Sequence, residues 1–134
     1  MYIVDSSAWI EYLRRTGSRA DVEVTQMVER EWPNAGVTEP VIMELLAGAR
    51  GRENFLRLER LLDAMPLCRV DPACDFAEAG ALYKFFRESG ITIRSQVDCL
   101  IAAVAARREA TIVHADRDFD VIASRYPVQV MSLA

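Results

Sequence analysis

Apolar residues along the chain fall into two alternating kinds of cluster. One kind is short and stops abruptly: Tyr2 to Val4, Ala35 to Val37, Leu67 to Val70, Thr111 to His114 and Val128 to Met131. Runs of this length, bounded by Asp, Pro or Gly, read as buried strands. The other kind is longer and repeats every three or four residues. Trp9, Ile10, Tyr12 and Leu13 mark a helix over Ala8 to Arg15, with Ser6 and Ser7 as candidate N-caps. A second helix is expected over Ala20 to Glu31. Val41, Ile42, Leu45 and Leu46 follow Thr38 as cap and Pro40 in the first turn, where a missing N–H does no harm. Phe55, Leu58, Leu61, Leu62 and Met65 mark another amphipathic helix.

Ala73 to Glu88 is helical in pattern and Gly90 is its stop. Ser95 with Asp98 resembles a capping box that opens a very apolar helix containing Val97, Leu100, Ile101 and Val104. Arg107 and Arg108 suit the C-terminal end of that helix. Phe119, Val121 and Ile122 fit a last short helix. Strands alternating with helices predict an α/β fold with a mainly parallel, roughly five-stranded sheet. With 134 residues and no linker, repeat or low-complexity tract, residues 1–134 are expected to form one domain.

Composition narrows the chemistry. The net charge is −4, so nothing global draws nucleic acid to the chain, and any attraction must come from local arginines, bound cations or a partner. Lys84 is the only lysine, which removes most lysine-based mechanisms. Cys68, Cys74 and Cys99 are odd in number and form no C-x-x-C pair, so neither a disulfide framework nor a zinc site is expected. No leader pattern and no apolar stretch of about 20 residues is present, so a cytoplasmic protein without a membrane span is expected.

The acids then stand out. Parallel sheets bind ligands at the carboxyl ends of their strands, near the point where strand order reverses. Asp5 ends the first run and Asp116 follows the fourth. Glu44 and Asp98 sit inside apolar stretches, Met43-Glu44-Leu45-Leu46 and Val97-Asp98-Cys99-Leu100, in helices that can face the same end. Charges there are costly alone, and like charges raise one another's pKa. A divalent cation with oxygen ligands, Mg²⁺ or Mn²⁺, resolves the conflict. Each acid also has an ordinary reading: a cap for Asp5 and Asp98, a helix edge for Glu44, a solvated turn for Asp116, Asp118 and Asp120. Their coincidence at one end of one sheet favours a site.

Four stretches together resemble a known family. Tyr2-Ile3-Val4-Asp5-Ser6-Ser7-Ala8-Trp9-Ile10 resembles the opening of PIN-domain nucleases, and more narrowly the VapC-type ribonuclease toxins of bacterial toxin–antitoxin pairs. Val41 to Gly48 around Glu44 is similar to the second motif of that family. Ile93-Arg94-Ser95 with Asp98 to Ala103 is similar to the third, and His114 to Phe119 to the fourth. The ordered set spans the chain.

The resemblance implies a three-layer α/β/α sandwich and an Mg²⁺- or Mn²⁺-dependent endoribonuclease acting on RNA, with tRNA one candidate substrate. It implies a cognate VapB-like antitoxin and a homodimer. Metal would be held by Asp5 and Asp98 with Asp116, and by Glu44 directly or through water. The metal would activate a water for attack on phosphorus. Ser7 and Ser6 would orient Asp5 or that water, Arg94 would meet a substrate phosphate or form a surface ion pair, and Asp118 would assist the metal or lie in a solvated turn. His114, the single histidine, is left as a packed or hydrogen-bonded residue rather than a general base. Two alternatives stay open. One is a catalytically silent protein of this fold. The other is an Mg²⁺-dependent phosphoreceiver domain, which would need a paired acid after Asp5 and a late lysine.

Overall fold

The structure, a computed structural model, describes residues 1–30 and 33–134. Four parallel strands form its sheet: β1 (Tyr2–Val4), β2 (Ala35–Gly36), β3 (Thr111–His114) and β4 (Gln129–Ser132), in the order β2-β1-β3-β4. Ile3 pairs with Ile112 and Val4 with Val113, and all four side chains are fully buried. Central parallel strands are covered on both faces, which is why these runs are apolar without alternation.

Seven helices are described: α1 (Ser6–Leu13), α2 (Arg19–Glu29), α3 (Glu39–Ala47), α4 (Gly51–Asp63), α5 (Asp75–Glu88), α6 (Gln96–Arg107) and α7 (Arg117–Ala123). The expected end of the second helix at Glu31 lies outside the described residues; α2 closes at Glu29 with Arg30 as its cap. The expected N-caps of α1 are corrected. Asp5 is the cap, its carboxylate accepting from the Ser7 amide, and Ser6 already belongs to the helix. The capping box at Ser95 is half formed. Ser95 Oγ accepts from the Val97 amide at 3.2 Å, whereas the Asp98 carboxylate turns to the neighbouring acids.

The expected fifth strand, Leu67 to Val70, shrinks to one parallel bridge between Val37 and Leu67. The bridge is closed by Val37 N–H to Pro66 C=O at 3.0 Å and Cys68 N–H to Val37 C=O at 2.7 Å. Side chains then take over from a ladder. Glu39 accepts the Val70 N–H, and Arg107 donates to the Arg69 carbonyl. The approach is close enough to require Gly36, where a Cβ would stand 2.7 Å from the Pro66 carbonyl oxygen.

Right-handed crossovers fix the layers. From β1 through β2 to Leu67 the chain steps one way, so α1–α4 cover one face. From there to β3 and β4 it steps the other way, so α5–α7 cover the opposite face. The core runs through both, with Trp9, Val24, Val41 and Leu62 among the first group and Phe86, Ile101 and Phe119 among the second. Strand order reverses between β1 and β3, the two strands that lead into Asp5 and Asp116. Cys68 and Cys99 are buried free thiols and Cys74 is an exposed one. No helix of the described residues is long and apolar enough to cross a membrane.

Candidate metal centre

Where β1 gives way to α1, Asp5 is almost fully buried. Its Oδ2 accepts from the Ser7 amide at 2.9 Å and from Ser7 Oγ at 2.6 Å. Ser7 Oγ in turn accepts from the Ala115 amide at 3.0 Å, so one hydroxyl ties the ends of β1 and β3 together. Asp5 Oδ1 is buried without any partner. Burial pushes the Asp5 carboxyl above its ordinary pKa; the bonds from Ser7 work against this, and the charge of Glu44 adds to it.

Asp98 occupies the first turn of α6 and is 8% exposed. Burial first, then the charges of Asp5, Asp116, Glu44 and Asp118, push its carboxyl up to about 8. Carboxylate oxygens of Asp98, Asp116 and Asp118 lie within 4.8 Å of one another. Asp116 caps α7, and its Oδ1 accepts from the Asp118 amide at 3.0 Å. Glu44, half-buried on α3, stands at the edge of this group and accepts from Ser6 Oγ at 3.0 Å.

Arg94 reaches the cluster from the loop before α6. Its Nη2 donates to Asp116 Oδ1 at 2.6 Å, its Nε to Asp118 Oδ2 at 3.0 Å, and its main-chain N–H to that same Asp118 oxygen at 3.1 Å. Behind the cluster, the fully buried His114 accepts the Asp116 N–H at Nδ1, 3.1 Å away, which leaves its ring proton on Nε2. Nε2 lies 3.2 Å from Asp120 Oδ1, near but poorly aligned for a hydrogen bond. Ser132 on β4 donates to the other Asp120 oxygen at 2.9 Å.

Asp98 and Asp116 thus come together with Asp118 at the sheet's switch point, while Asp5 and Glu44 lie near enough to raise the Asp98 pKa but outside that close group of three. Ser6, Ser7 and Arg94 bond to members of this acidic surround. Two placements differ from the sequence reading of local turns. Asp118 belongs to the cluster with only 14% of its side chain exposed, although a solvated turn was the simpler expectation. The signal was present in the spacing Asp116-x-Asp118 at the start of a helix after a strand. Asp120 turns instead to His114 and Ser132. Lys84, the one lysine, pairs with Glu88 on the exposed side of α5, so the cluster has no lysine of the kind a phosphoreceiver needs.

An all-oxygen donor set of this charge suits a hard divalent cation. The buried, partnerless Asp5 Oδ1 and the high Asp98 pKa are the strains such an ion relieves.

Comparison with known proteins finds similarity along nearly the whole chain. A family model described as PIN domain matches residues 2–124. Ribonuclease VapC11 of Mycobacterium tuberculosis is 46% identical over 132 residues, covering 98% of both chains. VapC ribonuclease Mb1587 of Mycobacterium bovis matches to the same extent. Among solved structures, DNA-bound VapBC from Salmonella typhimurium aligns with a TM-score of 0.74 at 16% identity, covering 99% of this chain and 98% of that one. VapBC2 from Rickettsia felis bound to a DNA fragment from its promoter aligns with 0.73 at 17% identity and the same coverage.

Proposed function

The chain belongs to the PIN-domain family, with VapC ribonucleases as its relatives, and from that premise we propose that it is the metal-dependent endoribonuclease toxin of a toxin–antitoxin pair. One observation carries the metal dependence: the buried Asp5 Oδ1 has no partner, beside an Asp98 whose carboxyl is driven to about 8 by burial and then by Asp5 and Asp116.

Asp5, Asp98 and Asp116 would hold Mg²⁺ or Mn²⁺, with Asp118 beside them and Glu44 at the edge. The ion would supply charge neutralisation at the scissile phosphate and lower the pKa of a water, so that hydroxide is available as nucleophile. The chain's residues do the positioning. Ser7 fixes one Asp5 oxygen and leaves the other free to bind. Ser6 steers Glu44 inward from α3. His114 pins the Asp116 main chain, so its carboxylate enters from a fixed backbone. Arg94 is the cation nearest the cluster and the first candidate for a substrate phosphate.

A VapB-like antitoxin is the proposed partner, supported by VapBC complexes among the structural neighbours. A groove of about 920 Å³ beside α3 and α6, lined by Met43, Val70, Phe76, Val97 and Leu100, offers an apolar surface for partner contact. Met43 and Phe76 there are 60% and 58% exposed. A homodimer and a tRNA-like substrate belong to the same reading, as does a cytoplasmic setting.

RNA cleavage with Mg²⁺ or Mn²⁺, compared among wild type, Asp5→Asn and Asp98→Asn, tests the proposal. Cleavage should require the ion and be lost in both variants. Activity that survives EDTA, or survives both substitutions, sinks the metal mechanism.

A further inference from the structure

We propose that Arg94 is an internal latch on the acidic cluster, its guanidinium holding Asp116 and Asp118 until a divalent cation displaces it. The inference rests on the metal-dependent reading above and adds a competitor for the ion that is built into the chain.

The geometry is that of a fork. Nη2 meets Asp116 at 2.6 Å and Nε meets Asp118 at 3.0 Å, so one planar group spans two carboxylates. Both of those carboxylates belong to the three-acid cluster, and an oxygen bound to Arg94 is withdrawn from a metal. The latch is anchored at its base, because the Arg94 main-chain N–H also binds Asp118 Oδ2. Its arm is 71% exposed and free to swing outward without disturbing the core. Asp98 and Asp5 make no recorded contact with Arg94, so the latch holds two acids of the site and leaves these two unheld.

Two consequences follow from the charges. Three carboxylates within 4.8 Å repel one another, and the latch holds two of them in position without metal. The same grip raises the metal concentration needed to load the site. Exposed ion pairs are weak, so the threshold is modest and the exchange reversible.

The experiment measures Mn²⁺ binding alone, by the loss of free-ion electron paramagnetic resonance signal, on four full-length proteins. They are wild type, Arg94→Ala, Arg94→Lys and Arg117→Ala. Arg117 is an exposed neighbour that makes no recorded contact with the cluster and controls for the loss of one positive charge. Arg94→Ala should bind Mn²⁺ roughly three- to tenfold tighter than wild type. Arg94→Lys should fall between the two, because an ammonium keeps the charge but cannot bridge two acids. Arg94→Ala binding no tighter than Arg117→Ala, or Arg94→Lys matching wild type, overturns the latch while leaving the metal site standing. Absence of Mn²⁺ binding in every protein overturns the metal reading and the latch together.

Discussion

Two buried aspartates, each with an arginine nearby, behave in opposite ways. Asp75 at the start of α5 is 1% exposed and fully partnered. Arg107 on α6 donates to both of its oxygens at 2.9 Å, and the Asp71 amide adds a bond at 2.7 Å. Burial alone would raise the Asp75 carboxyl, but these bonds and the Arg107 charge outweigh it and hold the group below the ordinary value. Asp98, on the opposite end of α6, has no such fork. Its neighbours are acids, and its carboxyl climbs to about 8. Arg94 is close by but spends both arms on Asp116 and Asp118. One aspartate is partnered by a cation within the fold, and the other is surrounded by acids.

The widest separation between the two should appear in catalysis. Asp98→Asn should lower RNA cleavage by about a hundredfold or more, since it removes a proposed metal ligand. Asp75→Asn should leave the rate per folded molecule unchanged. Equal losses in both, measured as initial rates corrected for folded fraction, would break the contrast.

Stability should reverse the ranking. Asp75→Ala leaves Arg107 without its carboxylate and should cost about 2–4 kcal/mol in urea unfolding. Asp98→Asn should leave the metal-free protein at least as stable as wild type at about pH 8, where it removes a buried charge. A destabilised Asp98→Asn would show that this carboxylate is also part of the fold's own bonding.

The pH dependence sharpens the same point. A carboxyl that titrates near 8 in the folded chain and near 3.8 when unfolded binds an extra proton on folding throughout that interval. Stability is therefore greatest at the acid side and falls as pH rises through the interval. The metal-free protein should lose roughly 2–4 kcal/mol between about pH 5 and about pH 8. Saturating Mn²⁺ should remove most of that slope, because ion binding releases the proton. A stability that rises over this range in EDTA would contradict the Asp98 assignment.

The smallest effect concerns support. Ser7→Ala removes the hydroxyl that joins Asp5 to Ala115 and should cost about 1 kcal/mol, with cleavage reduced several-fold rather than abolished. A Ser7→Ala protein with unchanged cleavage and melting would mean that the Ser7 amide alone orients Asp5.

Much of the candidate site is legible in the sequence. Asp5 and Asp116 are marked by strand ends, and Asp98 by its place inside an apolar helix. What stayed hidden depends on partners distant in sequence. Asp118 reads as an ordinary turn until Arg94, 24 residues earlier, is seen to close on it. Asp75 is unremarkable until Arg107, 32 residues later, reaches it across the α5–α6 contact. Arg107 itself suits a helix terminus by position, and only the packing shows its other use. Leu67 to Val70 carries as much apolar character as the genuine strands. Its ladder fails because Glu39 and Arg107 take the backbone groups that a neighbouring strand would have used.

The single histidine carries a practical consequence. His114 is sealed from solvent, fixed in one tautomer, and bonded directly to the main chain of Asp116. With no second imidazole in the chain, its ring resonances form an isolated pair in a nuclear magnetic resonance spectrum. They sit two residues from Asp116, the carboxylate proposed to exchange Arg94 for an ion. The molecule therefore carries its own single-site gauge: titrating diamagnetic Mg²⁺ while watching those two signals reports the loading of the centre without a label, a substrate or an engineered probe.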